Sequence, residues 1–439
     1  MHHRAPAIAG AILGVLTVAA YLIGANRSYG YDAAATFANF VATPLLWDAF
    51  AVHTVLPTVP IKGVASNDHV LLSLVSHAIY SATGSRSEVV YRIVPVLAAG
   101  ATVGLSTTAL ARRFGIVAGI CGGLFIATDP LFADNGRELR GYSLAALGAV
   151  AATLLLAGKW TRRRLVAYAL VMGLAIAAQL FAAVVLVMHV AWIASRRSWP
   201  QLGRVAPAWI AAATIGVAAN ANIQVMELVQ HGYPPSAFYQ TFPRDLVFFL
   251  VGAPVLVPLG LWLSSAALGL WVLRKEPWLW PAVGVVVVVV AILWLGLQPA
   301  YLYPRFFLFL VPACAFLVAA AIARWKVLAP VVVVGAAAAA ISLSQGWTQD
   351  PLALPQAAAA VERIHSAGGR ACVIHIDEQV LSAYTTDFTV VTKPDELASC
   401  DAVVVVSWAV DLPLRDLAAQ EFPRATLLQA FYPAVVLER

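Results

Sequence analysis

Long apolar stretches alternate with short polar ones over most of this chain, near residues 5–25, 88–111, 116–131, 141–157, 165–179, 181–195, 205–222, 245–273, 278–297, 305–323 and 327–343. Each matches the length and character of a membrane helix. The segment 165–195 is too long for one span and reads as two short helices broken near Gln179. Runs such as Val285–Val290, Val331–Val334 and Ala336–Ala340 are apolar filler without chemistry. The first stretch, behind Arg4, has the outline of a signal peptide, but its length and weak cleavage pattern favour a retained helix. Beyond about residue 350, where Pro351 and Pro355 fall, the pattern changes. Helical segments (356–367, 376–384, 412–421) then alternate with "ACVIHI", "FTVV", "AVVVVS" and "LLQAFYPAVVL". That alternation predicts a small α/β domain with a largely parallel sheet. The expected organisation is therefore an all-α polytopic membrane domain, 1–345, followed by an α/β domain, 350–439.

Composition agrees: 61% of the 439 residues are hydrophobic and only 11% are charged, with a mean hydropathy of +0.81. No soluble fold buries that much apolar surface. Charge then orients the spans. Arg112, Arg113, the Lys159–Arg164 run, Arg196, Arg197, Arg204, Arg274, Lys275, Arg324 and Lys326 fall on one side with Arg4. By the positive-inside rule that side is cytoplasmic, which puts the N-terminus there and the α/β domain outside, in a multi-pass protein of the cell membrane. Before residue 350 the acids Asp32, Asp48, Asp68, Glu88, Asp129, Asp134, Glu138, Glu227 and Asp245 lie on the other side, and Glu276 is the exception. The longest outer loop, 26–87, contains two stretches, 33–50 and 69–83, that read as interfacial helices. Cys372 and Cys400 fall at neighbouring predicted strands and are candidates for a disulfide. Cys121 and Cys314 lie in apolar stretches as packing residues.

Four polar clusters open on the outer face: Tyr29, Tyr31 and Asp32; Asn67, Asp68 and His69; Asp134, Arg137, Glu138, Arg140 and Tyr142; and Tyr301, Tyr303 and Arg305. Asp134, Glu138 and Tyr142 recur at helical spacing and share a face if the segment is one helix, with Arg137 beside that stripe. Arginines that grip phosphate and carboxylates that accept a hydroxyl proton suit chemistry on an anionic, lipid-linked substrate. Each residue also has a plainer role. Asp32 fits a cap on a helix starting at Ala33, Arg140 an interface anchor, and Tyr301 or Tyr303 an aromatic belt. His69 fits the polar face of an interfacial helix, and Asn67–Asp68 a turn. His365 and His375 show no metal-ligand spacing, and no P-loop, GxSxG elbow or CxxC pair is present.

The order of these clusters resembles the polytopic glycosyltransferases of the GT-C fold, in the family-39-like group that includes protein mannosyltransferases and aminoarabinose transferases. That group has an Asp-Glu after the first span, an "NNHxL" or "HPPLY" stretch, a "G-S-E-x-x-x-R-x-P" entry to the next span, "EAR-x-Y", and a late "R-Y-L-L-x-x-x-P". Here these become "YGYDAAAT", "SNDHVLLSLVSHAIYSATGSRSEVVYRIVP", "NGRELRGYSLAAL" and "YPRFFLFLVP", covering roughly the first 325 residues in order. The resemblance implies transfer of a sugar from a polyprenyl-phosphate donor to a lipid, glycan or protein acceptor on the outer face. Asp32 matches the first-loop acid, viewed as the base or acceptor-orienting group, and Glu138 the second-loop acid. Arg140 and Arg305 match arginines that hold the lipid phosphate, and His69 matches the histidine of "NNH". Ala33 stands where the family has glutamate, leaving one carboxylate in the motif. A divalent metal thus has no support, and no cofactor is expected.

The remaining outer-face candidates for substrate binding are Tyr31, Asn67, Asp68, Arg137, Tyr142, Tyr301 and Tyr303. Membrane lipids are expected partners, and nucleic acid is not. A lipid-linked glycan transporter or flippase is the rival class. It should show internal repeats and midplane charges, and neither is evident. A non-catalytic scaffold would explain the α/β domain but leave the loop clusters unexplained.

Overall fold

The computed structural model describes residues 4–50, 69–195, 199–220, 256–297, 303–347, 353–374, 380–406, 412–429 and 434–438, with the isolated residues Arg244, Leu246, Val247 and Glu378. The chain divides into two compact units: Met1–Ile23, His69–Leu72 and Arg92–Trp347 in the first, and Gly24–Asp68, Ser73–Tyr91 and Thr348–Arg439 in the second.

The first unit is helical. Its elements are α1 (Ala5–Tyr21), the greater part of α4 (Glu88–Phe114), α5 (Ile116–Thr128), α6 (Pro130–Gly136), α7 (Tyr142–Ala157), α8 (Arg162–Ala178), α9 (Ala183–Ser195), α10 (Trp199–Ala219), α11 (Leu256–Leu273), α12 (Leu279–Ala291), α13 (Val311–Arg324) and α14 (Leu328–Trp347). These elements follow the apolar stretches of the sequence closely, and α8 ends at Gln179, which is its C-cap. Among the described residues, α4, α10 and the continuous Pro304–Arg324 segment are long and apolar enough to cross a membrane. A fourth crossing results if α5 and α6 count as one bent span. Other helices are shorter: the 17 residues of α1 rise about 25 Å, below the roughly 30 Å of a hydrocarbon core. Ile8, Ile12, Val15 and Leu16 of α1 are exposed, an apolar face suited to lipid rather than water.

Small residues let these helices approach. Gly10 and Gly14 of α1 meet Gly100 and Gly104 of α4, and a Cβ on Gly14 would sit 2.8 Å from the Gly100 carbonyl oxygen. Two GxxxG patterns facing each other give close backbone packing where lipid supplies no hydrophobic drive. The sequence reads 116–131 as one span, but the structure bends it by 60°. The cause is local: the Asp129 carboxylate accepts from the Phe132 N–H as N-cap, and Pro130 follows at the first helical position.

The second unit carries the first loop and the α/β domain. The expected helix over 33–50 is instead α2 (Tyr31–Thr36), a π-turn over Phe37–Val41 and a 3₁₀ turn over Leu46–Phe50. Pro44 accounts for the break, since it lacks an N–H and restricts the residue before it. The other expected helix is present as α3 (Val70–Thr83). Its His77 Nδ1 bonds the Val41 carbonyl at 3.1 Å and so ties α3 to the π-turn.

The C-terminal sheet has the order β2 (Thr389–Val391), β1 (Ala371–Ile374), β3 (Ala402–Val405), β5 (Ala434–Glu438), β4 (Arg424–Gln429). It is mixed rather than largely parallel. β1 pairs in parallel with β2 and β3, but β5 runs antiparallel to both β3 and β4. The stretch "LLQAFYPAVVL" contributes to two strands, β4 and β5. α15 (Leu354–Ser366) packs against β1, β3 and β5, with Leu354, Ala357, Ala358, Ala360 and Val361 buried. Cys372 in β1 is disulfide-bonded to Cys400, two residues before β3. Around that bond Ile374, Val403, Val405, Leu414 (in α16, Leu412–Glu421), Ala418 and Phe422 form the domain core.

Candidate functional site

In the first unit, the polar residues gather where α6 ends, α7 begins and α8 ends. Asp134, Glu138 and Tyr142 do not share one helix. Asp134 lies in α6, Glu138 in an irregular turn and Tyr142 at the start of α7. Gly136 and Gly141 bracket the turn, and a Cβ on Gly141 would overlap the Ala178 carbonyl oxygen at the end of α8. Only glycine permits that approach. Within the turn the Arg140 N–H bonds the Glu138 carbonyl at 2.6 Å, with the Leu139 side chain fully buried.

Glu138 Oε2 lies 3.3 Å from Nη2 of Arg92, whose guanidinium is buried in α4. Arg92 is the arginine of the "SEVVYRIVP" motif, yet its position in the sequence assigns it no role in the site. Its partner is 46 residues away, and an arginine at a span start reads as an anchor. A buried guanidinium without a carboxylate would be costly, so the pair fixes both side chains.

His69 Nδ1 bonds the Ala178 carbonyl at 2.8 Å and satisfies one of the orphan acceptors at the end of α8. A carbonyl only accepts, so Nδ1 is the protonated nitrogen. The His69 ring meets Tyr142 edge-on at 4.8 Å, and the Arg140 guanidinium lies 5.7 Å over the Tyr142 ring. Arg140 itself is buried. The 3₁₀ segment Pro304–Leu310 packs against both α6 and α7. Its Arg305 guanidinium sits 4.5 Å over the ring of Tyr303. Phe306 in the same segment stacks on Phe181, just beyond α8, at 5.2 Å. One end of the first unit thus brings together Arg92, Glu138, Arg140, Tyr142, His69, Tyr303 and Arg305. Arg137 does a different job: its Nη2 donates to the Ile23 carbonyl, pinning the chain after α1. Asp134 is exposed.

Asp32 belongs to the second unit. Gly30, not Asp32, is the N-cap of α2, and Asp32 is the acid in its first turn. A plain capping role is therefore not what Asp32 performs, although a carboxylate there still complements the helix dipole. A helix of six residues has no stability of its own, and its surroundings hold it. Tyr29, fully buried, stacks on Phe37 at 5.6 Å, and Phe37 meets Tyr91 and Tyr80 edge-on at 5.0 and 5.9 Å. The Tyr29 N–H donates to Tyr384 Oη at 2.9 Å, and Tyr384 in turn donates to Glu88 Oε1 at 2.7 Å. Arg86 adds bonds to the carbonyls of Ser382 and Ala383 at 3.4 and 3.2 Å. Burial, and then the neighbouring Glu88 carboxylate, push the Tyr384 hydroxyl well above its ordinary pKa, so it stays a donor. No sequence signal marks Tyr384, whose partner lies 355 residues away.

Asn67, Asp68 and Tyr301 lie outside the described residues, as does the Tyr31 side chain. Among the described residues, no group of three or more His, Cys, Asp or Glu side chains is placed to hold a metal ion. Chemically, the first-unit cluster offers guanidinium donors shaped for a phosphate, beside a carboxylate and phenol rings.

Neither a family model nor a curated protein matches this sequence. Solved structures do match in shape. ArnT from Cupriavidus metallidurans in the apo state superimposes with a TM-score of 0.62 at 14% identity, covering 97% of each chain. The same protein bound to undecaprenyl phosphate gives 0.62 at 13% identity. Arabinofuranosyltransferase AftD from Mycobacteria gives 0.57 at 15% identity over 100% of this chain and 40% of that one. An oligosaccharyltransferase of Archaeoglobus fulgidus gives 0.51 at 12% identity, covering 90% of this chain and 67% of that one. The apolar helices and these neighbours together describe a membrane-embedded chain with the GT-C fold.

Proposed function

We propose that this protein is a membrane glycosyltransferase that moves a sugar from a polyprenyl-phosphate donor to an acceptor hydroxyl on the extracytoplasmic face. The observation that carries the reading is the gathering of Arg92, Glu138, Arg140 and Arg305 at one end of a GT-C fold. The undecaprenyl phosphate bound by one structural neighbour supports a polyprenyl-linked donor.

In this reading Arg140 and Arg305 hold the donor phosphate, and Glu138, locked by Arg92, orients the reacting groups. Tyr142, Tyr303, His69 and Arg137 line or brace the site, with Tyr31, Asn67, Asp68 and Tyr301 assigned to substrate binding from the sequence order. Asp32 is the general base. It accepts the proton of the acceptor hydroxyl as that oxygen bonds the anomeric carbon, and the bond to the phosphate breaks with inversion. The leaving group is a phosphate anion stabilised by guanidinium donors, so no strong general acid and no nucleotide are required. The sugar class, hexosyl or pentosyl, and the acceptor remain for the assay below to assign. The eleven apolar segments are assigned as spans, with the N-terminus cytoplasmic and the α/β domain outside. The Cys372–Cys400 bond suits such an oxidising location.

The test uses membranes containing the full chain and a panel of radiolabelled polyprenyl-phosphate sugars. Transfer by the native protein and its loss in Asp32→Asn, at equal expression, are expected. Normal transfer by Asp32→Asn refutes the base assignment. Net lipid movement without transfer assigns a transporter instead.

A further inference from the structure

The other end of the first unit carries a second polar feature that the proposed reaction does not use. α7 ends at Ala157, and the turn Gly158–Thr161 leads into α8, whose N-cap Thr161 accepts from the Arg164 N–H. Here the ends of α7 and α9, the turn after α7 and the start of α10 line an open cleft of about 710 Å³, its walls including Leu156, Lys159, Trp160, Trp192, Pro200 and Arg204. The 16 residues of α7 put this cleft about 24 Å along the helix from Tyr142 and the arginine cluster.

The cleft is built, not incidental. Arg204 Nη2 donates to the Trp160 carbonyl at 2.8 Å, linking α10 to the α7–α8 turn. Trp160 Nε1 donates to the Leu156 carbonyl at 2.7 Å. The Arg164 guanidinium lies against Gly158, where a Cβ would overlap it, and its Nη2 reaches the Leu154 carbonyl at 3.4 Å. Lys159, Arg162, Arg163 and Arg204 are exposed. Among the described residues, no carboxylate forms an ion pair with any of these cations; the acid Glu276 pairs with Arg113 instead. Unpaired cations close together repel one another unless an anion sits among them. The indoles and Leu156 make the floor apolar, and Trp199 beside them is exposed, as expected of groups at a membrane–water boundary.

We propose that this cleft binds the headgroup of an anionic glycerophospholipid. Lys159 and Arg204 take its phosphate oxygens, and the start of its acyl chains lies on the Leu156, Trp160 and Trp192 surface. Charge and apolar floor together favour a lipid over a free anion, and the volume is that of an ordinary ligand site. The site is distinct from the donor-phosphate cluster and does not depend on it.

The test is native mass spectrometry of the full chain in zwitterionic detergent, titrated separately with tetraoleoyl cardiolipin, phosphatidylcholine and inorganic phosphate. Saturable binding of cardiolipin and none of phosphatidylcholine is expected. Lys159→Gln should weaken it roughly fivefold, the effect of one charge near a membrane surface. The Lys159 side chain makes no hydrogen bond among the described residues, and unchanged thermal unfolding confirms folding. Arg204→Gln is the second variant and should weaken binding likewise. Equal affinity for phosphatidylcholine, undiminished binding by both variants, or displacement of the lipid by equimolar phosphate would overturn the proposal, the last by assigning a free-anion site.

Discussion

Arg92 and Asp32 sit in different units and are held in opposite ways. Arg92 stands near the start of a 27-residue helix and is fixed by a carboxylate, because a charge among apolar helices needs a counter-charge to stay there. Asp32 rides on a six-residue helix that stacked aromatics and the hydroxyl of Tyr384 keep in place. The contrast shows two ways of presenting a polar group in an apolar protein. One is a rigid span with an internal ion pair, the other a short segment clamped through its backbone by a folded domain.

The largest effect should follow from breaking the ion pair. Arg92→Ala leaves Glu138 without its 3.3 Å partner, at a cost of roughly 3–5 kcal/mol. It should reduce transfer more than 100-fold, and thermal unfolding of the purified chain reads the stability loss. Native-like melting would show that the pair does not anchor the turn. Next comes the α/β domain itself. Replacing Cys372 and Cys400, 28 residues apart, with serine should destabilise that domain by about 3.6 kcal/mol on loop entropy alone. Limited proteolysis with and without reductant is the measurement, and cleavage beyond residue 350 should rise. A clamp role for the domain is contradicted if transfer survives complete loss of its structure.

Tyr384→Phe is a finer cut. It removes the acceptor for Tyr29 N–H and the donor to Glu88, about 2 kcal/mol of local hydrogen bonding. The turnover number should fall about tenfold with the donor KM little changed, since the tyrosine positions Asp32's helix rather than touching donor. An increase in donor KM with unchanged turnover would contradict positioning. The smallest effect belongs to the exposed Arg113–Glu276 pair at 3.7 Å. Glu276→Gln should shift stability by less than about 1 kcal/mol. A shift as large as that of Arg92→Ala would erase the distinction between buried and exposed pairs.

The helices were legible because apolar length and loop charge both mark them, down to the break at Gln179. The bend at Asp129–Pro130 was written in the sequence as a cap followed by a helix-starting proline, but the apolar run around it masks it. The break after α2 had its signal in Pro44. The site was legible only where chemistry is local to a motif. Glu138, Arg140, His69 and Arg305 stand out as polar groups at span ends. Arg92 looks like an anchor until its partner across the fold is seen. Tyr384 carries no local mark, because its role consists of contacts with Tyr29 and Glu88 hundreds of residues away. Even the sheet order depends on β5 inserting between β3 and β4, a choice that strand patterns do not encode.

Sugar transfer from a radiolabelled polyprenyl-phosphate donor, followed in membranes bearing the native chain and its Asp32→Asn variant, tests the central claim most directly. The account predicts labelled acceptor with the native chain and none above background with the variant at equal protein level. Labelled acceptor at native rates from Asp32→Asn, or no transfer from any polyprenyl-phosphate sugar by the native chain, would contradict it.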